Sequence, residues 1–180
     1  MKIILAITGA SGSIYGVRIA KELSKEELFL VVSDSAKKVI AHECQKEFDN
    51  IKSKIKVYPE DKIEADIASS SFDVDAMIVC PCSMKTLAAI SIGYADNLIT
   101  RCADVMIKEK KKLILVPREM PLSAIHLENM LKLSRLGVTI MPACPAWYHK
   151  PKDLEEMINF VVGKILDQLK IENSLFKRWK

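Results

Sequence analysis

Glycine and proline are scarce in this chain, 6 and 7 among 180 residues, which excludes a collagen-like or low-complexity polymer. Long apolar runs are missing as well. The longest uncharged stretches, Ala76 to Met84 and Thr86 to Ala95, are parted by Lys85, far below the roughly 18 apolar residues of a membrane span. Charge of one sign is not in excess: 27 Lys and Arg against 23 Asp and Glu leave +4, and even at Lys108 to Lys112 an acid, Glu109, intervenes. Neither a nucleic-acid footprint nor a membrane partner is expected. Cysteine pairs are lacking too, since five is odd and Cys44, Cys80, Cys82, Cys102 and Cys144 lie mostly in apolar segments. Reduced thiols and a cytoplasmic location are the expectation. Met1-Lys2 before Ile3 to Thr8 is too short a run for a secretion signal and reads as a first strand.

What is present is a chain 49% hydrophobic and 28% charged, enough for one core and, at about 150 residues per domain, for one domain. Residues 1–180 form that domain, with 171–180 either loose or docked on a neighbouring subunit. Short apolar runs rich in Ile, Val and Leu, at Lys2 to Thr8, Leu28 to Ser33, Asp75 to Cys80, Lys112 to Pro117 and Val138 to Pro142, predict buried strands. Between them, three- and four-residue apolar spacing predicts helices over Ile14 to Leu23, Ser35 to Glu47, Met84 to Gly93, Leu98 to Lys110, Ala124 to Leu136 and Pro151 to Leu169. Phe48 to Glu64 reads as a surface excursion with one edge strand at Lys54 to Tyr58. Alternating β and α predicts an α/β fold in three layers, a parallel sheet between helices. In such sheets ligands sit beyond the strands' carboxyl ends, so the loops after Thr8, Val32, Cys80, Pro117 and Pro142 are where chemistry is sought.

The first of these loops is Gly9-Ala10-Ser11-Gly12, leading through Ile14-Tyr15-Gly16 into a helix. Its glycines allow a tight turn, and the free amides at the helix start favour an anion such as a phosphate; the spacing matches neither GxGxxG, a P-loop nor GxSxG. A plain strand-to-helix turn is the alternative. The third strand ends in Cys80-Pro81-Cys82-Ser83-Met84-Lys85-Thr86. Without a second Cys/His pair the two thiols are packing residues, and Ser83 with Thr86 is a helix cap that doubles as a hydroxyl pair for a phosphate or flavin edge. Arg101 and Lys108, seven residues apart, share one helix face, by default a solvated one. Arg118 and Glu119 stand stiffly between Pro117 and Pro121 at a strand end, where a proton-transfer carboxylate beside an anion-binding cation competes with a plain salt bridge. Pro142 to His149 with Pro151 makes a rigid apolar lip containing Trp147 and Tyr148, suited to a flat ligand or to core packing. His42 and His126 have no neighbours at metal spacing and receive no role.

Taken together, TGASGSIYGVR, CPCSMKTLAAISIGYADNLITRCADV, LVPREMPLSAIHLENMLKL and PAWYHKP resemble the UbiX-type flavin prenyltransferases, over nearly the whole chain and in order. The resemblance implies a Rossmann-like (flavodoxin-like) flavoprotein fold, a homododecamer with sites between subunits, and metal-free transfer of the dimethylallyl group of dimethylallyl phosphate to N5 and C6 of reduced FMN. Prenylated FMN, the product, would serve UbiD-type decarboxylases. It implies FMN contacts at Gly9, Ala10, Ser11, Ser33, Ser83, Met84, Lys85, Thr86 and Arg118. Glu119, Glu43 and Ser11 would stand at the reacting centre, and Arg101, Lys108, Tyr148, Lys164 and Trp179 around the prenyl phosphate. Lys164 stands where many relatives carry arginine, a point charge in place of a fork, and Trp147 where they often carry phenylalanine. Two rivals remain. An FMN-dependent decarboxylase of cysteine-containing substrates would use a histidine after the second helix, yet none occurs between His42 and His126; a non-catalytic FMN carrier would leave Glu119 and the cations without purpose.

Overall fold

The computed structural model describes residues 1–179. Its centre is a six-stranded, all-parallel sheet in the order β3-β2-β1-β4-β5-β6. The strands are β1 (Lys2–Ile7), β2 (Glu27–Val32), β3 (Lys56–Pro59), β4 (Ala76–Cys82), β5 (Lys112–Pro117) and β6 (Thr139–Ile140). Helices α1 (Ser13–Glu22), α2 (Asp34–Glu43), α3 (Gln45–Lys52), α4 (Met84–Ile92), α5 (Leu98–Lys108), α6 (Ala124–Arg135) and α7 (Leu154–Gln168) connect them. Of the two orders common in doubly wound sheets this is the Rossmann one, with the chain reversing direction between β1 and β4.

Alternation along the strands distributes the core. Ile3, Leu5 and Ile7 of β1 pack with residues of α1, α2, α3 and α7, whereas Ile4 and Ala6 pack with α4, α5 and α6. Because both faces are covered, the strands read as continuous apolar runs. Glycine at position 16 sets how closely α1 lies on the sheet: a Cβ there would stand 2.3 Å from the Cys80 carbonyl oxygen and 2.9 Å from Ile7 Cγ1. Among the described residues no helix is long and apolar enough to cross a membrane.

The structure departs from the sequence expectation in four places. The helix expected over Ser35 to Glu47 ends at Glu43 and breaks at Cys44 with φ −158° and ψ 40°, and a second, α3, runs on through Lys52 into the stretch expected as a surface excursion, burying Phe48 and Ile51. The break is invisible in the pattern because Ile40, Cys44, Phe48 and Ile51 keep helical spacing and enter one core cluster. The edge strand begins at Lys56 and not Lys54. The last strand shrinks to Thr139–Ile140, although Met141 N–H still donates to Leu115 O at 2.9 Å. The last helix starts at Leu154 and not Pro151, because Asp153 takes the cap, accepting from Glu156 N–H at 2.8 Å.

Candidate active site

The strand order reverses between β1 and β4, and in such sheets the loops above these two strand ends are where a ligand is sought. Buried Thr8 ties the two loops together. Its hydroxyl donates to Pro81 O at 2.7 Å and accepts from Ser83 N–H at 2.7 Å. Gly12, at φ +97°, turns the chain into α1. The amides of Gly12 and Ser13 each donate to Glu43 Oε2 at 2.9 Å. The sequence suggests an anion at this helix start, a phosphate or a flavin edge; the carboxylate of Glu43 accepts from these two amides, satisfying orphan donors at the positive end of the helix.

The other helix starts above the strand ends differ. Ser33 caps α2 by accepting from Ala36 N–H at 3.1 Å, and the Asp34 amide donates to Glu60 Oε1 at 2.7 Å. Ser83 caps α4, accepting from Thr86 N–H at 3.3 Å, with the two hydroxyls 3.1 Å apart. The amides of Met84 and Lys85 meet no protein acceptor among the described residues. Two free amides, two hydroxyls and the Lys85 side chain fit a phosphate group.

From β5 the chain brings in Arg118 and Glu119. Arg118 Nε donates to the Ser11 carbonyl oxygen at 3.2 Å, so Ser11, Glu43 and Arg118 converge on one loop. Glu119 is exposed, its Oε1 accepting from the Met120 amide at 3.0 Å. The remaining expected residues lie elsewhere. Arg101 pairs with Asp104 at 3.5 Å, and Lys108, the last residue of α5, pairs with Glu109 at 3.6 Å. Tyr148 stands edge-on to Trp179, ring centres 5.2 Å apart, and Lys164 is on α7. No hydrogen bond, ion pair or ring contact among the described residues joins this second set to Ser11, Glu43, Arg118 or Glu119.

Ordinary packing and capping account for several other residues. Burial pushes the Cys80 and Cys82 thiols far above their ordinary range, Cys102 up to about 12 and Cys44 up to about 11, so these four are protonated packing groups. Cys144 is exposed. His126 shares a capping box with Ser123: Ser123 Oγ accepts from the His126 amide at 3.2 Å, and His126 Nδ1 accepts from the Ser123 amide at 3.3 Å. Asn97 and Thr100 form a second capping box, which gives part of the ADNLIT string a local helical purpose. Sequence reasoning missed Thr8, whose only signal is a polar residue at the end of an apolar strand. It also missed His149, stacked on Phe160 at 5.0 Å with neither ring nitrogen partnered.

A parallel sheet between helices, with open amides at the α4 start beside the point of reversal, suits a flavoprotein, and the family model described as Flavoprotein matches residues 1–166. A curated relative, the flavin prenyltransferase UbiX of Methanocaldococcus jannaschii, is 54% identical over 99% of this chain and 98% of the relative. Two solved structures superpose along nearly the whole chain. One is a dodecameric FMN-dependent UbiX-like decarboxylase from Escherichia coli O157:H7, with TM-score 0.96, 44% identity and complete coverage of both chains. The other is AnUbiX (PadA1) in complex with FMN and dimethylallyl pyrophosphate, with TM-score 0.95, 42% identity and coverage of 99% of this chain and 96% of that one. The chain belongs to the UbiX family of flavin prenyltransferases. It is a transferase.

Proposed function

We propose that this enzyme joins the dimethylallyl group of dimethylallyl phosphate to N5 and then C6 of reduced FMN, without a metal ion, to give prenylated FMN for a UbiD-type decarboxylase. The observation that carries the reading is the junction of Ser11, Glu43 and Arg118 beside the open amides of α4, at the sheet's reversal. FMN and a dimethylallyl diphosphate are the ligands held by the AnUbiX relative, and the residues here fit that pair. The α4 start with Ser83, Met84, Lys85 and Thr86 holds the FMN phosphate; Gly9, Ala10, Ser11, Ser33 and Arg118 line the rest of the flavin.

Reduced FMN supplies two electron-rich atoms when bound. Everything else falls to the chain. As the donor's C1′–O bond breaks, its electron pair leaves with the phosphate, and fixed cations must meet the charge that develops there. Arg101, Lys108 and Lys164 do so, with the Tyr148 hydroxyl as a further donor. The five-carbon fragment left behind is electron-poor and needs a dry wall with negative charge nearby. Glu43, held rigidly by two amides, and the Tyr148 and Trp179 faces provide it. Glu119 holds or moves the proton at flavin N5.

The scatter of the expected residues over the Ser11 loop, α5, and α7 with its tail supports a site shared between copies. So does the face of α6 that carries Leu127 and Leu131, 52% and 51% exposed. Such a patch fits an interface, and a second copy of this chain is assigned to it, in a homo-oligomer of the dodecameric kind. The test is anaerobic incubation with reduced FMN and either dimethylallyl phosphate or its diphosphate, followed by mass spectrometry. A flavin heavier by one C5H8 unit is expected; a protein that retains no flavin, or a flavin of unchanged mass with both donors, overturns the reading.

A further inference from the structure

The described residues after α7 and its cap contain no helix or strand, yet three of them, Asn173, Phe176 and Arg178, are fastened to α7. Asn173 Nδ2 donates to Gly163 O at 3.3 Å and Asp167 Oδ1 at 3.0 Å. Phe176 meets Phe160 edge-on at 5.0 Å, and it lies so close to α7 that a Cβ on Gly163 would be 2.6 Å from its Cδ1. Arg178 forms a fork on Asp167, its two terminal nitrogens donating at 2.8 and 2.7 Å. The same guanidinium covers the Phe176 ring at 5.2 Å. A terminal segment is ordinarily loose unless something holds it.

Beyond the last of these fastenings the chain returns to solvent. Trp179 is 76% exposed, and its one aromatic partner among the described residues is Tyr148. Tyr148 in turn stands edge-on to Phe160 at 5.7 Å, the ring against which Phe176 rests. Two contacts therefore hold the Tyr148 ring, one directly from α7 through Phe160, which Phe176 of the tail backs, and one from the tail through Trp179, next to the anchored Arg178. A bidentate guanidinium–carboxylate pair fixes orientation as well as distance, and orientation is what an edge-on contact to Tyr148 needs.

We propose that Asp167 and Arg178 are positioning residues for the prenyl donor: their ion pair, backed by Phe176 on Gly163, clamps the tail so that Trp179, opposite Phe160 of α7, fixes the Tyr148 hydroxyl where the donor's phosphate arrives. The inference rests on the role given to Tyr148 above. Gly163 is part of the device, since only a residue without a side chain lets Phe176 lie on the helix one residue before Lys164.

Two variants attack the clamp from opposite sides, Arg178→Ala at the ion pair and Gly163→Ala under Phe176. Each is expected to raise KM for dimethylallyl phosphate about tenfold while kcat stays within about twofold and FMN affinity is unchanged, the pattern of a lost binding interaction. Arg178→Lys, keeping charge without the fork, recovers part of the KM. In a Trp147→Phe background Trp179 is the only tryptophan, and its emission anisotropy should fall in both variants. Unchanged KM and anisotropy in both, or loss of FMN together with the donor, overturns the proposal. If the unmodified enzyme forms no prenylated flavin, the function assigned to the site fails, while the anisotropy comparison still decides whether the clamp exists.

Discussion

The two halves of the site are built from different materials. Around Ser11 the polar groups are held by backbone: Thr8 bridges two loops, Gly12 and Ser13 amides grip Glu43, and Arg118 grips a carbonyl. Around Tyr148 they are held by side chains, an aromatic cluster and one ion pair. Backbone at strand ends is fixed by the core beneath it, so the first half is finished by folding alone. The second half rests on the surface of α7, with Lys164 on that helix and an exposed tryptophan beside Tyr148.

Several experiments would break or sharpen this contrast. Glu119→Gln should leave FMN binding intact and slow prenyl transfer by about a hundredfold or more, the usual worth of a positioned proton-transfer group; single-turnover mass spectrometry reads it, and unchanged turnover removes Glu119 from the mechanism. Next in size is Gly16→Ala. With a methyl placed 2.3 Å from the Cys80 carbonyl oxygen, α1 must lift from the sheet, and the backbone-held half should lose about 1–3 kcal/mol of stability by urea unfolding. Lys108→Ala and Lys164→Ala act on the donor: each should raise its KM about tenfold without releasing flavin, so flavin loss on gel filtration would contradict the division.

The smallest effect is one of pH. The Arg178 guanidinium, with the Asn173 amide, holds the Asp167 carboxyl below the usual carboxylate range. A lowered carboxylate stabilises the folded state above its unfolded value, near 3.9, and loses that contribution as the pH falls through the folded one. The pair is half exposed on the arginine side, with side-chain exposures of 54% and 22%, so solvent screening keeps the gain to about 1 kcal/mol or less. Thermal midpoints measured between pH 6 and pH 3 should fall slightly less in Asp167→Asn than in the unmodified chain.

Much of this was legible in the sequence, and the reasons differ by region. The strands were legible because a sheet covered on both faces writes itself as uninterrupted Ile, Val and Leu. The break at Cys44 was not, since its neighbours keep one helical stripe across it. Ser83, Thr86, Arg118 and Glu119 could be picked out from their place at strand ends alone. Glu43 could be named from family resemblance, but its bond to Gly12 spans 31 residues, a distance no local pattern encodes. Tyr148 could be picked out as part of a proline-stiffened lip, whereas Lys164 and Trp179 came only from the resemblance, and the pair that ties the tail down, Asp167 and Arg178, lies 11 residues apart with no local pattern joining it.

The grip on Glu43 also joins assembly to competence. Its acceptor lies at the end of α2, whereas the donors lie at the head of α1, so those two amides are shielded only while β1, α1, β2 and α2 are docked as a unit. Hydrogen exchange at Gly12 and Ser13 would thus report, for any nascent or damaged chain, the moment at which the carboxylate comes into place.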